Sequence, residues 1–176
     1  MSSVAGLAAG PAVGRETVGA VPAAGSAAIP FPSRAWFEAL AARVREQRVR
    51  WEHLGYVDCV AGFTVLDGPG GAPFRVQVSF DEFDVVDVRE AREDEGARAD
   101  FVLEADLATW RAMIESIAAG HGRPALEQTL NRLSHMGKPI AVRSDDPLRR
   151  DLYFRYNQSL QEFVNASAGF RTAFPD

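Results

Sequence analysis

The chain has 176 residues, of which 47% are hydrophobic, and this is enough for one domain with an apolar core. Its net charge of -5 argues against a nucleic-acid partner, because such a partner normally requires a basic face. A single cysteine excludes an internal disulfide, and no continuous apolar run reaches about 18 residues, so the sequence predicts a cytoplasmic protein without a membrane span.

Residues 1–32 differ in composition from the rest of the chain. Ala, Gly, Val, Pro and Ser dominate this segment, which therefore buries too little apolar surface to offset the entropy of ordering. The sequence predicts a flexible tail at 1–32 and one folded domain at 33–176. Ile29 and Phe31 leave open the alternative that the end of the tail docks on the domain.

The first helix is predicted to begin after Ser33, whose hydroxyl can cap the free amides of the first turn. The helical pattern continues to about Leu54. Its expected buried face consists of Trp36, Phe37, Leu40, Val44 and Trp51. Three segments rich in Val and Phe follow, and they predict strands over 56–66, 74–80 and 83–90.

A short apolar strand and a helix are predicted in the middle of the chain. The strand covers 101–103, and Asp106 can then cap a helix that Gly120 and Gly122 end. The apolar face of this helix consists of Leu107, Trp110, Met113, Ile114 and Ile117. Their spacing of three and four residues is typical of a helix that packs one side on a core.

The remaining elements are a second middle helix, a strand and a closing helix. The second helix is predicted over 124–137, and the strand is predicted over 139–142. The closing helix is predicted to begin at Asp145 or Asp146 and to run to about Ala166. The second helix is expected to bury Leu126, Leu130 and Leu133, and the closing helix Leu148, Leu152, Tyr156, Leu160 and Phe163. Helices with one apolar face must pack on a sheet, so the residues predict an α/β or α+β fold.

Two segments carry a family resemblance. The first segment is residues 137–145, GKPIAVRSD, in which Gly-Lys precedes a strand, and a small residue and Asp then lead into the closing helix. The second segment is residues 100–107, in which a strand leads into a capped helix. Here the chain resembles the sterol carrier protein type 2 family of lipid-binding domains, over roughly residues 33–166, although Ser144 replaces the family's second glycine. The resemblance implies a single mixed, mainly antiparallel sheet of about five strands covered by helices. It also implies an internal apolar pocket that needs no cofactor.

The resemblance makes the large apolar side chains candidates for the wall of such a pocket. Methionine and aromatic residues can line a cavity that accepts varied hydrophobic ligands. The candidates are Phe101, Leu103, Trp110, Met113, Ile114, Ile117, Leu133, Met136, Tyr153 and Tyr156. An alternative interpretation, open for each of them, is that they only fill a core.

The sequence contains no motif that defines an enzyme. The three histidines share no metal-ligand spacing, and a nucleophile elbow, a phosphate-binding loop and a dinucleotide-binding glycine pattern are missing. Weak candidates for a single acid or base are Asp84, Glu104, His135 and Tyr156.

Three functions remain open from the sequence. The first is a carrier or accessory protein for a lipid, sterol, acyl or polyketide-like molecule, as the resemblance implies. The second is a cyclase or isomerase of secondary metabolism that uses the same pocket without a metal or nucleotide cofactor. The third is a non-enzymatic subunit that binds a partner protein or a second copy of itself.

Overall fold

The computed structural model describes residues 27–92 and 98–175, and strands and helices account for most of them. The strands are β1 Ile29–Pro30, β2 Val57–Val65, β3 Phe74–Glu82, β4 Asp84–Glu90, β5 Phe101–Ala105, β6 Ala141–Arg143 and β7 Thr172–Ala173. The helices are α1 Arg34–Glu46, α2 Arg48–Glu52, α3 Leu107–Ala119, α4 Leu130–Leu133 and α5 Pro147–Asn165.

Five of the strands form one sheet in the order β4-β3-β2-β5-β6. β2, β3 and β4 are joined as antiparallel neighbours, β5 pairs with β6 in the same antiparallel way, and β5 lies parallel to β2. The sheet is therefore mixed and mainly antiparallel, which confirms the predicted fold class. Alternation places Phe63, Phe80 and Leu103 on one face, where they are buried, and Glu104 on the other.

The helices α1, α3 and α5 pack on the same face of the sheet. Aromatic rings mark the contact, because Phe63 of β2 lies 5.3 Å from Phe37 of α1, 6.1 Å from Trp110 of α3 and 6.1 Å from Phe163 of α5. Side chains cap the first turns as predicted, with Ser33, Asp106 and Asp146 accepting backbone N–H bonds. Among the described residues, no helix combines the length and the apolar character needed to cross a membrane.

Two helices differ from their predictions. The single helix expected from Ser33 to about Leu54 is broken at Gln47, and the break lets Trp51 of α2 stack on Phe80 with 6.2 Å between ring centroids. The helix predicted over 124–137 is instead a 3-10 turn, Leu126–Gln128, followed by the four-residue α4. The reason is Thr129, which is extended and caps α4, so the two turns cannot form one helix. Leu126, predicted to be buried, is 70% exposed. Leu148, also predicted to be buried, is 78% exposed because it lies in the first turn of α5.

Residues near the two ends of the described chain meet in a second, two-stranded sheet. β1 runs parallel to β7, with the N–H of Ile29 donating to the carbonyl of Arg171 at 2.8 Å and that of Phe31 to Ala173 at 2.7 Å. Phe31 is buried, so the last residues of the segment predicted as a tail are part of the folded body, as the docking alternative anticipated. Residues 1–26 lie outside the described ranges, and for them the tail stays a prediction.

Replacing Asp106 with alanine is expected to lower the free energy of unfolding by about 1 kcal/mol at pH 7, because the cap of α3 is lost. The carboxylate accepts the N–H of Thr109 at 2.7 Å, and hydrogen bonds from Thr109 lower the pKa of Asp106. Because the pKa of Asp106 is lower in the folded than in the unfolded state, the ionised carboxylate stabilises the fold at pH values above its ordinary pKa of about 4. This stabilisation is lost as the pH falls through the pKa of the folded state.

Urea unfolding at a series of pH values from 7 downward measures the free energy of unfolding of the wild type and of Asp106→Ala. The difference between the two free energies should shrink below about pH 4. Asp106→Asn is the matched control, since asparagine can also cap a helix but does not titrate. An equal loss of stability at every pH would contradict the assigned role of the carboxylate.

Candidate functional site

Nine of the ten predicted pocket residues lie together between the sheet and the helices. They are Phe101, Leu103, Trp110, Met113, Ile114, Ile117, Leu133, Tyr153 and Tyr156, and all nine belong to one continuous cluster of buried side chains. We call this cluster, between the helix-facing side of the sheet and the helices, the apolar layer. The structure thus brings the predicted set together in space, although its members are spread over four elements of the chain.

Met136 is the exception among the ten. Its side chain is 93% exposed, in the turn between α4 and β6. The prediction extended the helix to Gly137, which would have kept Met136 on a helical face. Because α4 ends at Leu133, Met136 lies in the following turn and not on a helical face, and Gly137 continues that turn with a left-handed φ of 76°.

The nine buried candidates do not line the cavities of about 170, 230 and 730 Å³ that the described residues form. Trp110 anchors α3 to the sheet, since its indole N–H donates to the carbonyl of Thr64 at 3.1 Å and its ring lies 6.1 Å from that of Phe63. These cavities lie elsewhere. The first is beside the C-terminal end of α5, the second is on the outer face of the sheet, and the third is an open groove along α2. A guest in the layer would have to displace side chains.

One polar cluster interrupts the wall of the layer. The hydroxyl of the fully buried Tyr153 lies 2.6 Å from the Ser134 hydroxyl, accepts a bond from the Asn157 amide at 2.8 Å and donates to the carbonyl of Leu130 at 3.2 Å. We call these four groups the Tyr153 cluster. They connect α4 to α5 and leave no hydrogen-bonding position of the phenol unused.

The phenol of Tyr153 acts as a neutral donor. Burial raises its pKa, and the hydrogen bonds with Ser134 and Asn157 oppose that shift. A tyrosine with a raised pKa keeps its proton at neutral pH and is a poor general base. Ser134 and Asn157 were not among the residues predicted from the sequence. The available signal was the spacing of Asn157, four residues after Tyr153 and therefore on the same side of α5.

The four weak acid-base candidates lie apart. Asp84 accepts a hydrogen bond from an arginine of α1 at 3.1 Å, and Glu104 pairs with an arginine of β6 at 3.1 Å on the outer face of the sheet. His135 is exposed in the turn after α4, whereas Tyr156 is buried in the layer. No hydrogen bond or ion pair of the described structure joins any two of them. The described structure therefore shows no hydrogen-bonded acid-base pair among these four residues.

Cys59 is a buried thiol in β2. Burial, followed by the nearby carboxylates of Asp100 and Asp58, raises the pKa of Cys59 to about 12. The thiol is therefore protonated at neutral pH and unsuited to nucleophilic attack or metal binding. In the part of the chain that the structure describes, no group of three His, Cys, Asp or Glu side chains is placed to hold a metal ion.

Comparison with known proteins identifies the fold. No family model and no curated protein matches the chain. A solved structure of sterol carrier protein 2 superimposes with a TM-score of 0.55 and 19% identity, over 78% of this chain and 97% of that one. A conserved hypothetical protein of Thermus thermophilus, suggested to be a sterol carrier protein, superimposes with a TM-score of 0.57 and 18% identity, over 84% of this chain and 94% of that one. The chain therefore has the fold of sterol carrier protein 2.

Proposed function

We propose that the protein binds a hydrophobic small molecule, such as a lipid, sterol or acyl chain, in the apolar layer and serves as its carrier or as an accessory protein. The observation that carries the proposal is the fold, because the solved structure that shares it is a sterol carrier protein. The composition of the layer supports it, since Met113, Trp110 and Tyr156 are side chains of the type that adapt to varied hydrophobic guests.

Burial would supply the affinity. A guest that removes roughly 300 Å² of its apolar surface from water gains about 7 kcal/mol, before the costs of immobilisation and of displaced side chains are subtracted. This gain needs no covalent step and no metal. It depends on whether the layer can open at a small cost.

We infer that the layer opens at α4. This helix has only four residues, and its buried side chains Leu130 and Leu133 close the layer on one side. Two hydrogen bonds of Leu130 connect α4 to α5. The N–H of Leu130 donates to the Gln161 side-chain oxygen at 2.6 Å, and its carbonyl accepts from the Tyr153 hydroxyl at 3.2 Å. A short segment with few hydrogen bonds opens at a lower free energy than the sheet or the long helices.

The experiment has two parts. Native mass spectrometry of the protein purified from its own host should detect one retained small molecule per chain. Delipidated protein should then take up an intrinsically fluorescent sterol, and Leu133→Ala should speed this uptake by about tenfold, because a smaller side chain at position 133 stabilises the closed state less. Leu126→Ala is the matched control, since Leu126 is exposed beside α4 and should leave the rate unchanged. The absence of both a retained molecule and sterol uptake would contradict the proposed function.

A further inference from the structure

The cavity of about 170 Å³ beside the C-terminal end of α5 lies apart from the apolar layer. It forms where three helices end, because its wall includes residues from the last turn of α1, the turn after α3 and the last turn of α5. The side chains with N–H groups or charges in this wall are Arg43, Gln47, Arg50, Trp51, His121, Glu162 and Asn165. A cavity of this size holds a few water molecules or one small polar guest.

The hydrogen-bond acceptors around this cavity already have donors. Backbone N–H groups donate to carbonyls in the last turns of all three helices, and they are those of Gln47, His121 and Ala166. Glu162 is the acid in the wall, and both of its carboxylate oxygens are engaged, one by Arg50 and the other by the Asn165 amide at 3.3 Å. A guest would therefore find few free acceptors at this site.

The donors, in contrast, are only partly used. One terminal nitrogen of Arg43 pairs with Glu46 at 2.6 Å, and the other donates to the carbonyl of Gly169 at 3.2 Å. The Nε of Arg43 is buried, and no described group accepts from it. A buried donor without a partner costs free energy, so its position calls for an explanation. Arg50 also keeps spare N–H groups, because a guanidinium has five and its bond to Glu162 uses one of them.

We propose that this cavity binds a phosphate group, either as the free ion or as a compact monoester, through the guanidinium groups of Arg43 and Arg50. The wall carries two guanidinium charges and one carboxylate, so its charge favours an anion. A tetrahedral phosphate presents oxygens in several directions and can accept from two guanidinium groups at once. The Gln47 amide and the His121 ring can add neutral donors. The inference stands independently of the proposed function.

Gly169 fixes where the Arg43 guanidinium lies. A Cβ atom at residue 169 would be 2.2 Å from Nε and 2.6 Å from Cζ of Arg43, so the guanidinium packs directly against the glycine. Gly169→Ala should therefore displace the guanidinium without removing its charge. This variant separates the geometry of the site from the net charge of the protein.

The test titrates the full chain with inorganic phosphate at low ionic strength and pH 8, where phosphate is a dianion. We expect one site with a Kd of about 1 mM or tighter by calorimetry. In ¹⁵N spectra of the arginine side chains, the Nε–H resonance of Arg43 should move on binding. The Nε–H resonance of Arg48 should not, because Arg48 bonds Glu52 at 3.1 Å and does not belong to the wall.

Variants test the assigned residues. Arg43→Gln and Gly169→Ala should each weaken phosphate binding by about tenfold, because charge-assisted hydrogen bonds are lost. Arg48→Gln is the matched control, since it removes the same charge outside the cavity and should leave the affinity nearly unchanged. If Arg43→Gln does not fold, Gly169→Ala and the Arg43 resonance of the wild type provide the test.

Three results would overturn the proposal. They are the absence of phosphate binding by the wild type, an Arg43 Nε–H resonance that does not respond, and equal losses of affinity in Arg43→Gln and Arg48→Gln. Glycerol 3-phosphate then distinguishes the two sources of the group. Binding at least as tight as that of inorganic phosphate supports a monoester as the guest, and binding about tenfold weaker supports the free ion.

Discussion

Trp110→Ala is expected to lower the free energy of unfolding by about 3–5 kcal/mol. The side chain is 3% exposed, and its removal would leave a cavity between α3 and the sheet next to Phe63. The substitution also deletes the hydrogen bond from the indole N–H to the Thr64 carbonyl, which adds to the cost. Both effects act at the centre of the apolar layer, where the surrounding side chains can collapse only in part.

Equilibrium unfolding in urea measures this loss directly as a shift of the transition midpoint. Phe154→Ala provides the control, because Phe154 also carries an aromatic ring on a helix but is 58% exposed. We expect that control to change stability by no more than about 0.5 kcal/mol. Equal shifts for the two variants would show that Trp110 does not pack as the structure describes.

Phe31→Ala is expected to destabilise the protein by about 3–5 kcal/mol, although residue 31 lies in the segment that its composition predicts as a tail. The ring is 2% exposed and lies 4.8 Å from Trp36 and 5.9 Å from Phe174, so it joins the start of the described chain to α1 and to the C-terminal segment. Its loss would loosen the pairing of β1 with β7 as well.

A pair of deletions places the boundary of the folded body. Removal of residues 1–32 should reproduce the loss caused by Phe31→Ala, since it takes away β1 and the Phe31 ring. Removal of residues 1–26 should leave the unfolding midpoint unchanged, as the prediction of a tail requires. If the unfolding midpoint falls equally in both deletion variants, the folded body does not begin after residue 26. If the variant without residues 1–32 unfolds at the wild-type midpoint, Phe31 does not stabilise the fold as described.

Local signals in the sequence were sufficient for most element boundaries. Asp106 and Asp146 begin α3 and α5 where predicted, because a capping side chain acts on amides only two or three residues away. The strands were recognised for a similar reason, since apolar and polar residues alternate along β3 in the sequence and burial alternates along β5. The ten pocket candidates came from these faces together with the family resemblance, and nine of them are buried in one layer.

The sequence by itself thus determined the fold class and the apolar faces, because helix caps and hydrophobic alternation depend on neighbours within a few positions. The cap at Thr129 that shortens the second middle helix to α4 is local as well. Only the tertiary structure decided the break at Gln47 and the docking of Phe31. These features rest on contacts between distant residues, such as the bond from the Trp36 indole to Thr172, 136 positions along the chain. Most of the Tyr153 cluster belongs to the same class, because the packing of α4 on α5 brings Ser134 and Leu130 to the hydroxyl, and only Asn157 has a local signal, its spacing of four residues from Tyr153.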